Sequence, residues 1–488
     1  MTPEQHNQLQ EALPDQPAKK APAVAKQLVD LALSRFTFLR GTDGQAYALC
    51  AGNPLARPLR GGDSFRRYLA TWQCKETGNV PSQGALADAL LVLEGHADDT
   101  DPVQVFQRVA PLAQGGVLID LGSRNEQIVE VTAQGWCVRA LRTGDPLITR
   151  NPTLGVMPVP VPGGSLEALW SVLNVREADQ ALLIAWMVAA FLVDVAQPVL
   201  LLRGEQGTGK TTAARMLVKL LDPGEGGLAA PPRNERDWAV TAADRTVVGL
   251  DNLSTILPWL SDAFCRAVTG DQVVYRQLYT DADRFISRIQ CALVITSIDP
   301  GAIKGDLAER LLPIELERIT TSRLREEDIL QEFQASLPQV LGAVLDLVVV
   351  ALNQMPQVDA PAAGWPRMAD FATVLAALDQ DGGTDALATY IQVTKDTQAD
   401  VAAGDPLADR VLWLLDMDPV WQGTASKLLS ALAVEDKSPE FRKGFKTAKE
   451  LSASLQALAP AMRTLGVEVT RGKSNGTRWI RLARVTPE

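Results

Sequence analysis

Gly204-Glu205-Gln206-Gly207-Thr208-Gly209-Lys210-Thr211-Thr212 is the stretch on which the reading of this 488-residue chain turns. It has the pattern G-x-x-x-x-G-K-[ST]. Just before it, Pro198-Val199-Leu200-Leu201-Leu202-Arg203 is a short apolar run of the kind that forms a strand buried on both faces. Just after it, Ala213, Met216, Leu217 and Leu220 recur at helical spacing. Strand, glycine loop and helix, in that order, are the setting in which this pattern binds phosphate. The glycines let backbone N–H groups curl around phosphate oxygens, and the helix N-terminus adds a partial positive charge. Lys210 is expected to reach the β- and γ-phosphates of ATP, and Thr211 to ligate Mg²⁺.

Composition narrows the rest. Hydrophobic residues make up 46% and charged residues 22%, as in an ordinary globular protein, and the length suggests about three domains. A net charge of −11 excludes a generally basic surface, so any contact with nucleic acid is local. Cys50, Cys74, Cys137, Cys265 and Cys291 lie far apart with no C-x-x-C pair, which suggests neither a zinc site nor a disulfide framework. With only His6 and His96, histidine-based catalysis is not expected. The apolar stretches 181–195 and 341–352 are too short to span a bilayer and each carries an aspartate. No membrane partner and a cytoplasmic location are the expectations.

Residues 1–23 read as a loose tail. Residues 24–150 read as an α+β domain: a helix, a hairpin around Gly41-Thr42-Asp43-Gly44, two helices (63–75 and 82–96), then strands at 103–109, 116–121, 127–132 and 136–142. Asp98-Asp99-Thr100-Asp101 is its one acidic cluster and reads as a solvated turn, not as a paired-carboxylate polymerase site. The proline-rich stretch 151–164 reads as a stiff linker, followed to residue 196 by a small helical collar.

Beyond the glycine loop, Thr246-Val247-Val248-Gly249-Leu250-Asp251 is an apolar run ending in a carboxylate, a Walker B pattern that places Asp251 beside Thr211 to hold Mg²⁺. A helix at 257–268 precedes alternating residues on both sides of Thr280-Asp281-Ala282-Asp283, which reads as a β-hairpin bearing Arg276, Tyr279 and Arg284. Cys291-Ala292-Leu293-Val294-Ile295-Thr296-Ser297 is a third apolar strand, ending in a candidate γ-phosphate sensor. Asp306 to Glu315 places Arg310 just before another strand.

This order of motifs resembles the AAA+ ATPases, specifically superfamily 3 helicases and the helicase portion of phage and plasmid primase-helicases. The resemblance covers roughly residues 35–480. It implies an α/β P-loop core at 197–320, a ring that is a homo-hexamer, and a hairpin that grips single-stranded DNA in the central channel through Arg276, Tyr279 and Arg284. It also implies that Arg310 reaches the ATP site of a neighbouring subunit; the plain alternative is a salt bridge with Glu309 or Glu315. Two departures stand out. Asn252 follows Asp251 where many relatives place a glutamate that polarises water, and Thr296 with Ser297 stands where asparagine is common. Asn252 can orient water but cannot accept its proton, so slow turnover is compatible with the pattern.

Residues 321–402 are helical by pattern (323–337, 340–353, 368–379 and 384–395), as expected of a helical lid. Residues 403–488 read as a winged helix: helices at 410–417 and 425–433, a capping box at Thr447-Ala448-Lys449-Glu450, a helix in which Pro460 is a kink or a restart, and a hairpin around 472–476. From residue 441 onward ten Lys/Arg face three Asp/Glu, an excess of +7. Arg463, Arg471, Lys473 and Arg478 are the expected duplex DNA contacts, with Arg471 and Lys473 at the wing tip. The expected function is an ATP-dependent DNA helicase or translocase acting in replication of a phage, prophage or plasmid-like element, with a primase or other replication proteins as further partners. The rival reading is a nucleotide-switched DNA-binding protein that assembles at an origin or regulatory site without unwinding.

Overall fold

The computed structural model describes residues 23–61, 65–243, 245–270, 272–276, 284–298, 303, 305–318, 325–361, 364–433, 447–474 and 476–485. The chain divides into two units, 1–105 and 106–488. In the first, the helix Val24–Leu33 leads into Phe36–Arg40, which pairs antiparallel with Ala46–Cys50; Leu55–Pro58 adds a third strand. The turn between the first two closes as its residues demand: Gly41 N–H donates to Gln45 O at 2.8 Å and the Tyr47 hydroxyl to Asp43 Oδ2 at 2.6 Å. Helices Phe65–Thr77 and Gln83–Asp98 bury Leu69, Trp72, Leu90 and Leu93 against Leu28, Phe36 and Phe38. Asp98 is ion-paired with Arg40, as a surface turn would be.

The second unit begins with an antiparallel meander: Val109–Pro111, Val117–Asp120, Gln127–Thr132 and Gly135–Ala140, paired in chain order. Here the division departs from the expected boundary at residue 150. Val117, Ile119, Leu121, Val129 and Val131 are buried in the same apolar core as the parallel sheet that follows, so the meander has no core of its own. The proline-rich stretch 151–164 is likewise no free spacer. It is pinned where Gly155 N–H meets Pro223 O (2.8 Å), Met157 N–H meets Leu121 O (2.9 Å) and Val161 N–H meets Pro338 O (3.0 Å).

The centre of this unit is a four-stranded parallel sheet in the order Val247–Leu250, Ala292–Thr296, Val199–Arg203, Leu311–Glu315. Its apolar runs are buried along nearly their whole length, which is what helices on both faces require. The helices Lys210–Leu221, Pro258–Thr269 and Glu177–Ala189 contribute to that cover and to one continuous core. The fold is mixed α/β. Gln272–Arg276 and Arg284–Arg288 pair antiparallel as a separate two-stranded ribbon.

An expected helix break near Pro338 is absent, and at Pro460, where a kink and a restart were both open, the helix does not restart. Residues 326–354 form one helix, Glu326–Gln354, running through Pro338, and Ala448–Thr464 runs through Pro460. In the first, Phe333, Leu337, Val340, Leu341, Val344, Leu345 and Val348 all lie in the core, and that burial outweighs the helical hydrogen bond lost at proline, about 3 kcal/mol. By length and composition the span Glu327–Gln357 is apolar enough to cross a membrane, whereas sequence suggested only a short stretch there. Ala369–Gly382 and Ala386–Ala403 complete the helical region.

Residues 406–433, 447–474 and 476–485 build a second, separate core from the apolar faces of three helices. Leu407, Val411 and Leu415 come from Pro406–Met417, Leu428 and Leu432 from Ala425–Ala433, and Leu451, Leu455 and Met462 from Ala448–Thr464. The capping box forms in full, with Glu450 N–H donating to Thr447 Oγ1 at 3.2 Å and Thr447 N–H to Glu450 Oε2 at 3.1 Å. The hairpin Val467–Ser474/Thr477–Arg484 is joined on its second arm by Val420–Gly423, a strand too short and mixed to be seen in the sequence.

Candidate functional site

The glycine loop lies at the carboxyl end of Val199–Arg203, at the edge where a parallel sheet offers its ligand crevice. Gly207 and Gly209 both have φ of 85°, a left-handed conformation that only glycine adopts without strain, and Gly209 caps the helix Lys210–Leu221. The loop is braced from inside: buried Thr208 donates its hydroxyl to Glu205 O at 3.1 Å, and Asn174 Nδ2 donates to Thr208 O at 3.4 Å. Thr208 therefore shapes the loop, and Asn174 is a supporting residue that no motif announces. Lys210 Nζ donates to Gly204 O and Glu205 O, each at 2.7 Å. Burial lowers its pKa below the ordinary lysine value, against the opposing pull of the Glu315 and Asp251 carboxylates.

The sheet order places Ala292–Thr296 between the loop strand and Val247–Leu250, and three expected residues meet there. Thr211 Oγ1 donates to Asp251 Oδ1 at 2.9 Å, and Thr296 Oγ1 donates to the same oxygen at 2.7 Å. Thr296, 2% exposed, also accepts the N–H of Asn252 at 2.8 Å. Its hydroxyl is thus used on both sides to hold Asp251 and the backbone after it. Asn252 has φ of 57°, a conformation asparagine tolerates better than most side chains, and it is exposed. Ser297 ties the same turn by donating to Leu253 O at 2.6 Å.

The set of a threonine hydroxyl and a carboxylate is one that fits Mg²⁺, a cation that takes oxygen ligands and keeps most of the remainder as water and phosphate oxygens. Thr211 and Asp251 would hold it. Among the described residues no group of three or more His, Cys, Asp and Glu is arranged to hold a metal ion.

Arg310 is placed elsewhere. Its carbonyl accepts Val199 N–H at 2.8 Å, which sets it at the amino end of the sheet, opposite its own glycine loop. The side chain is buried, the residue being 7% exposed; Nη1 donates to Asp306 O at 2.8 Å and pairs with the Asp306 carboxylate, while Nε has no partner among the described residues. Its ion pair is with Asp306, not with Glu309 or Glu315 as the sequence alternative had it. The adjoining helix Gly305–Ala308 packs against Ala386–Ala403 and Ala448–Thr464, and a Cβ on Gly305 would lie 3.0 Å from Ala457 O.

Of the expected DNA contacts, Arg276 and Arg284 are cross-strand partners in the ribbon, and Tyr279 lies outside the described residues. Lys473 and Arg478 are cross-strand partners near the end of the C-terminal hairpin, both exposed. Arg463 is exposed near the end of Ala448–Thr464. Arg471 departs from expectation: it turns back onto that helix, where it donates to Gln456 Oε1 at 2.9 Å and to Ser452 O, and burial lowers its pKa. The tip is therefore carried by Lys473 and Arg478.

No local pattern announces the buried clamp beneath the site. Arg108, 1% exposed, donates to Asp222 Oδ1 (3.0 Å) and to the carbonyls of Asp120, Gly155 and Pro223 (each 2.9 Å). Asp222, at the end of the loop helix, in turn accepts Thr246 N–H at 2.8 Å and Val247 N–H at 3.2 Å, where the Asp251 strand begins.

With this geometry in place, residues 166–400 match the model of a family described as the actinomycete integrative conjugative element replication protein. Residues 407–488 match a second, described as the AICE RepA C-terminal domain. Over these stretches the chain is similar to replication proteins of mobile elements. No curated protein matches it. Among solved structures, the A form of the apo NrS-1 C-terminal region is 13% identical, with 94% of this chain and 99% of that chain covered at a TM-score of 0.40. A structure titled "SCCmec type IV Cch - active helicase" is 12% identical, with 92% and 93% covered at a TM-score of 0.45. Superpositions this loose carry no argument about the present chain.

Proposed function

We propose that this chain is a replication protein of an integrative mobile element that hydrolyses ATP with Mg²⁺ to move along or unwind DNA. In this reading residues 197–320 are an AAA+ core of the superfamily 3 kind, 321–402 its lid and 403–488 a winged helix. The observation that carries it is the meeting of Thr211, Asp251 and Thr296 at the carboxyl edge beside the glycine loop.

Lys210 would exchange the carbonyls of Gly204 and Glu205 for phosphate oxygens, which restores the favourable surroundings its ammonium lacks. Bound Mg²⁺ supplies charge neutralisation on the transferring phosphoryl group. Thr296 acts through Asp251, fixing the carboxylate in place. Asn252 orients the attacking water, and positioning with charge stabilisation carries most of the barrier lowering in a loose phosphoryl-transfer transition state. The position of Arg310 at the far end of the sheet fits action on a neighbour's ATP in a ring, once its Asp306 pair is opened. The ribbon bearing Arg276 and Arg284 would then grip single-stranded DNA, and Lys473, Arg478 and Arg463 duplex phosphates.

The test is ATP turnover with and without single-stranded DNA, together with strand displacement on a fork. DNA-stimulated turnover and displacement, both lost in Lys210→Ala, are expected. Mixing Arg310→Ala with Lys210→Ala protein should restore part of the activity, since a mixed interface pairs an intact loop with an intact arginine. One observation favours a second reading. No acidic side chain directly follows Asp251, and Asn252 stands exposed in its place; tight ATP binding with DNA binding but no turnover would point to a nucleotide-switched assembly protein.

A further inference from the structure

Unit 1 carries a surface that the proposed ATP chemistry does not use. Residues 35–77 hold seven Lys/Arg against three Asp/Glu, inside a chain of net charge −11. Arg40 and Arg60 are taken up by Asp98 and Glu94. Others gather about an aromatic cluster on the helix Phe65–Thr77. Phe36, Phe65 and Trp72 are buried, but Tyr68 is 39% exposed. Its ring is held from beneath: stacked with Phe65 (centroids 6.0 Å apart, 23° between planes), edge-on to Phe36 at 5.5 Å, and tilted against Trp72 at 6.0 Å. The Arg57 guanidinium lies 5.6 Å from the Tyr68 centroid and that of Arg35 lies 4.3 Å from the Trp72 centroid. Arg35 also pairs with Glu76 at 3.8 Å. Among the described residues Arg57 has no hydrogen bond or ion pair, and exposed Arg66 has no partner.

We propose that this surface binds single-stranded nucleic acid, a base taking the place of the Arg57 guanidinium over the Tyr68 ring while Arg57, so displaced, and Arg66 meet the phosphates on either side. A ring already fixed by three aromatic neighbours loses little freedom when a base covers it, and every base has a face to offer. Guanidiniums beside the rings attract the phosphates, and Arg57, held over Tyr68 by no hydrogen bond or ion pair among the described residues, can yield that face to a base. A duplex keeps its bases stacked on one another and cannot use Tyr68, so charge alone would serve it. This inference stands apart from the ATP site.

The test uses the full chain without nucleotide, carrying Arg276→Ala, Arg284→Ala, Arg463→Ala, Lys473→Ala and Arg478→Ala to silence the other basic elements. The probe is a thymidine oligonucleotide of about 16 nucleotides, within the range one such surface spans, substituted with 5-iodo-deoxyuridine and followed by anisotropy and photo-crosslinking. A crosslink at Tyr68 is expected. Tyr68→Ala should weaken binding about tenfold and Tyr68→Phe should restore it, since stacking needs the ring and not the hydroxyl. Arg57→Gln with Arg66→Gln removes no packed ring; it should weaken binding and flatten its salt dependence by about one log unit of slope or slightly more, as two lost phosphate contacts on a single strand require. DNA-independent ATP turnover should not change when Tyr68, Arg57 or Arg66 is altered within that background. Unchanged binding in the Arg57/Arg66 variant, crosslinks confined to other segments, or equal affinity for a duplex of the same length would overturn the proposal.

Discussion

A threonine hydroxyl is the hinge of the site. The Thr296 hydroxyl donates a hydrogen bond to Asp251 and accepts one from Asn252 N–H, so Thr296→Val leaves a part-buried N–H and a carboxylate oxygen each one hydrogen bond short. The cost to stability is about 1–3 kcal/mol, to be read from urea unfolding. ATP turnover should fall at least tenfold while nucleotide binding persists, and Thr296→Ser should recover most of both. Asp306 gives a pH signature. Burial alone would raise its pKa, but hydrogen bonding to and the charge of Arg310 outweigh this and hold it below the ordinary aspartate value. A depressed folded pKa contributes stability that is complete above the unfolded value, about 3.9, and is lost as pH falls through the folded one. The stability gap between the parent chain and Arg310→Ala should therefore narrow as unfolding is measured from pH 6 down to about pH 3. A gap that widens in acid would contradict the pairing.

The elements show what a linear reading catches and what it misses. The nine-residue loop is legible because its chemistry is contiguous, and the Asp251 strand because an apolar run ending in a carboxylate is a local pattern. The role of Thr296 is not, since it depends on which strand lies beside the loop strand. Pro338 misled because proline's local cost was weighed without the tertiary burial that overrides it. The strap 151–164 looked like a spacer because its anchors are distant: Val161 lies so close to the helix Glu326–Gln354 that a Cβ on Gly342 would collide with the Val161 carbonyl. Gly342→Ala should accordingly lower stability by about 1–3 kcal/mol in thermal or urea unfolding, the usual effect of overpacking. Thr447→Ala, which removes the hydroxyl half of the capping box, should cost about 1 kcal/mol.

The second unit is held by contacts between parts that sequence read as separate. Arg108 and Asp222 are 114 positions apart, with no periodicity to connect them, yet they join the meander to the loop helix and the Asp251 strand. Breaking such a buried pair on one side costs about 3–5 kcal/mol, so Arg108→Ala should unfold well before the parent chain, with the meander and the parallel sheet lost in one transition. Two separate transitions would show that the meander folds independently, as the boundary at residue 150 implied. ATP hydrolysis at the Thr211–Asp251–Thr296 cluster, driven by DNA, is the step on which the proposed function rests. Its most direct test is the steady-state rate of phosphate release, in Mg²⁺, with and without single-stranded DNA, for the parent chain and Asp251→Asn. Turnover should be stimulated by DNA in the parent chain and should fall at least a hundredfold in Asp251→Asn while ATP still binds; equal rates in the two proteins, or a parent rate indifferent to DNA, would contradict it.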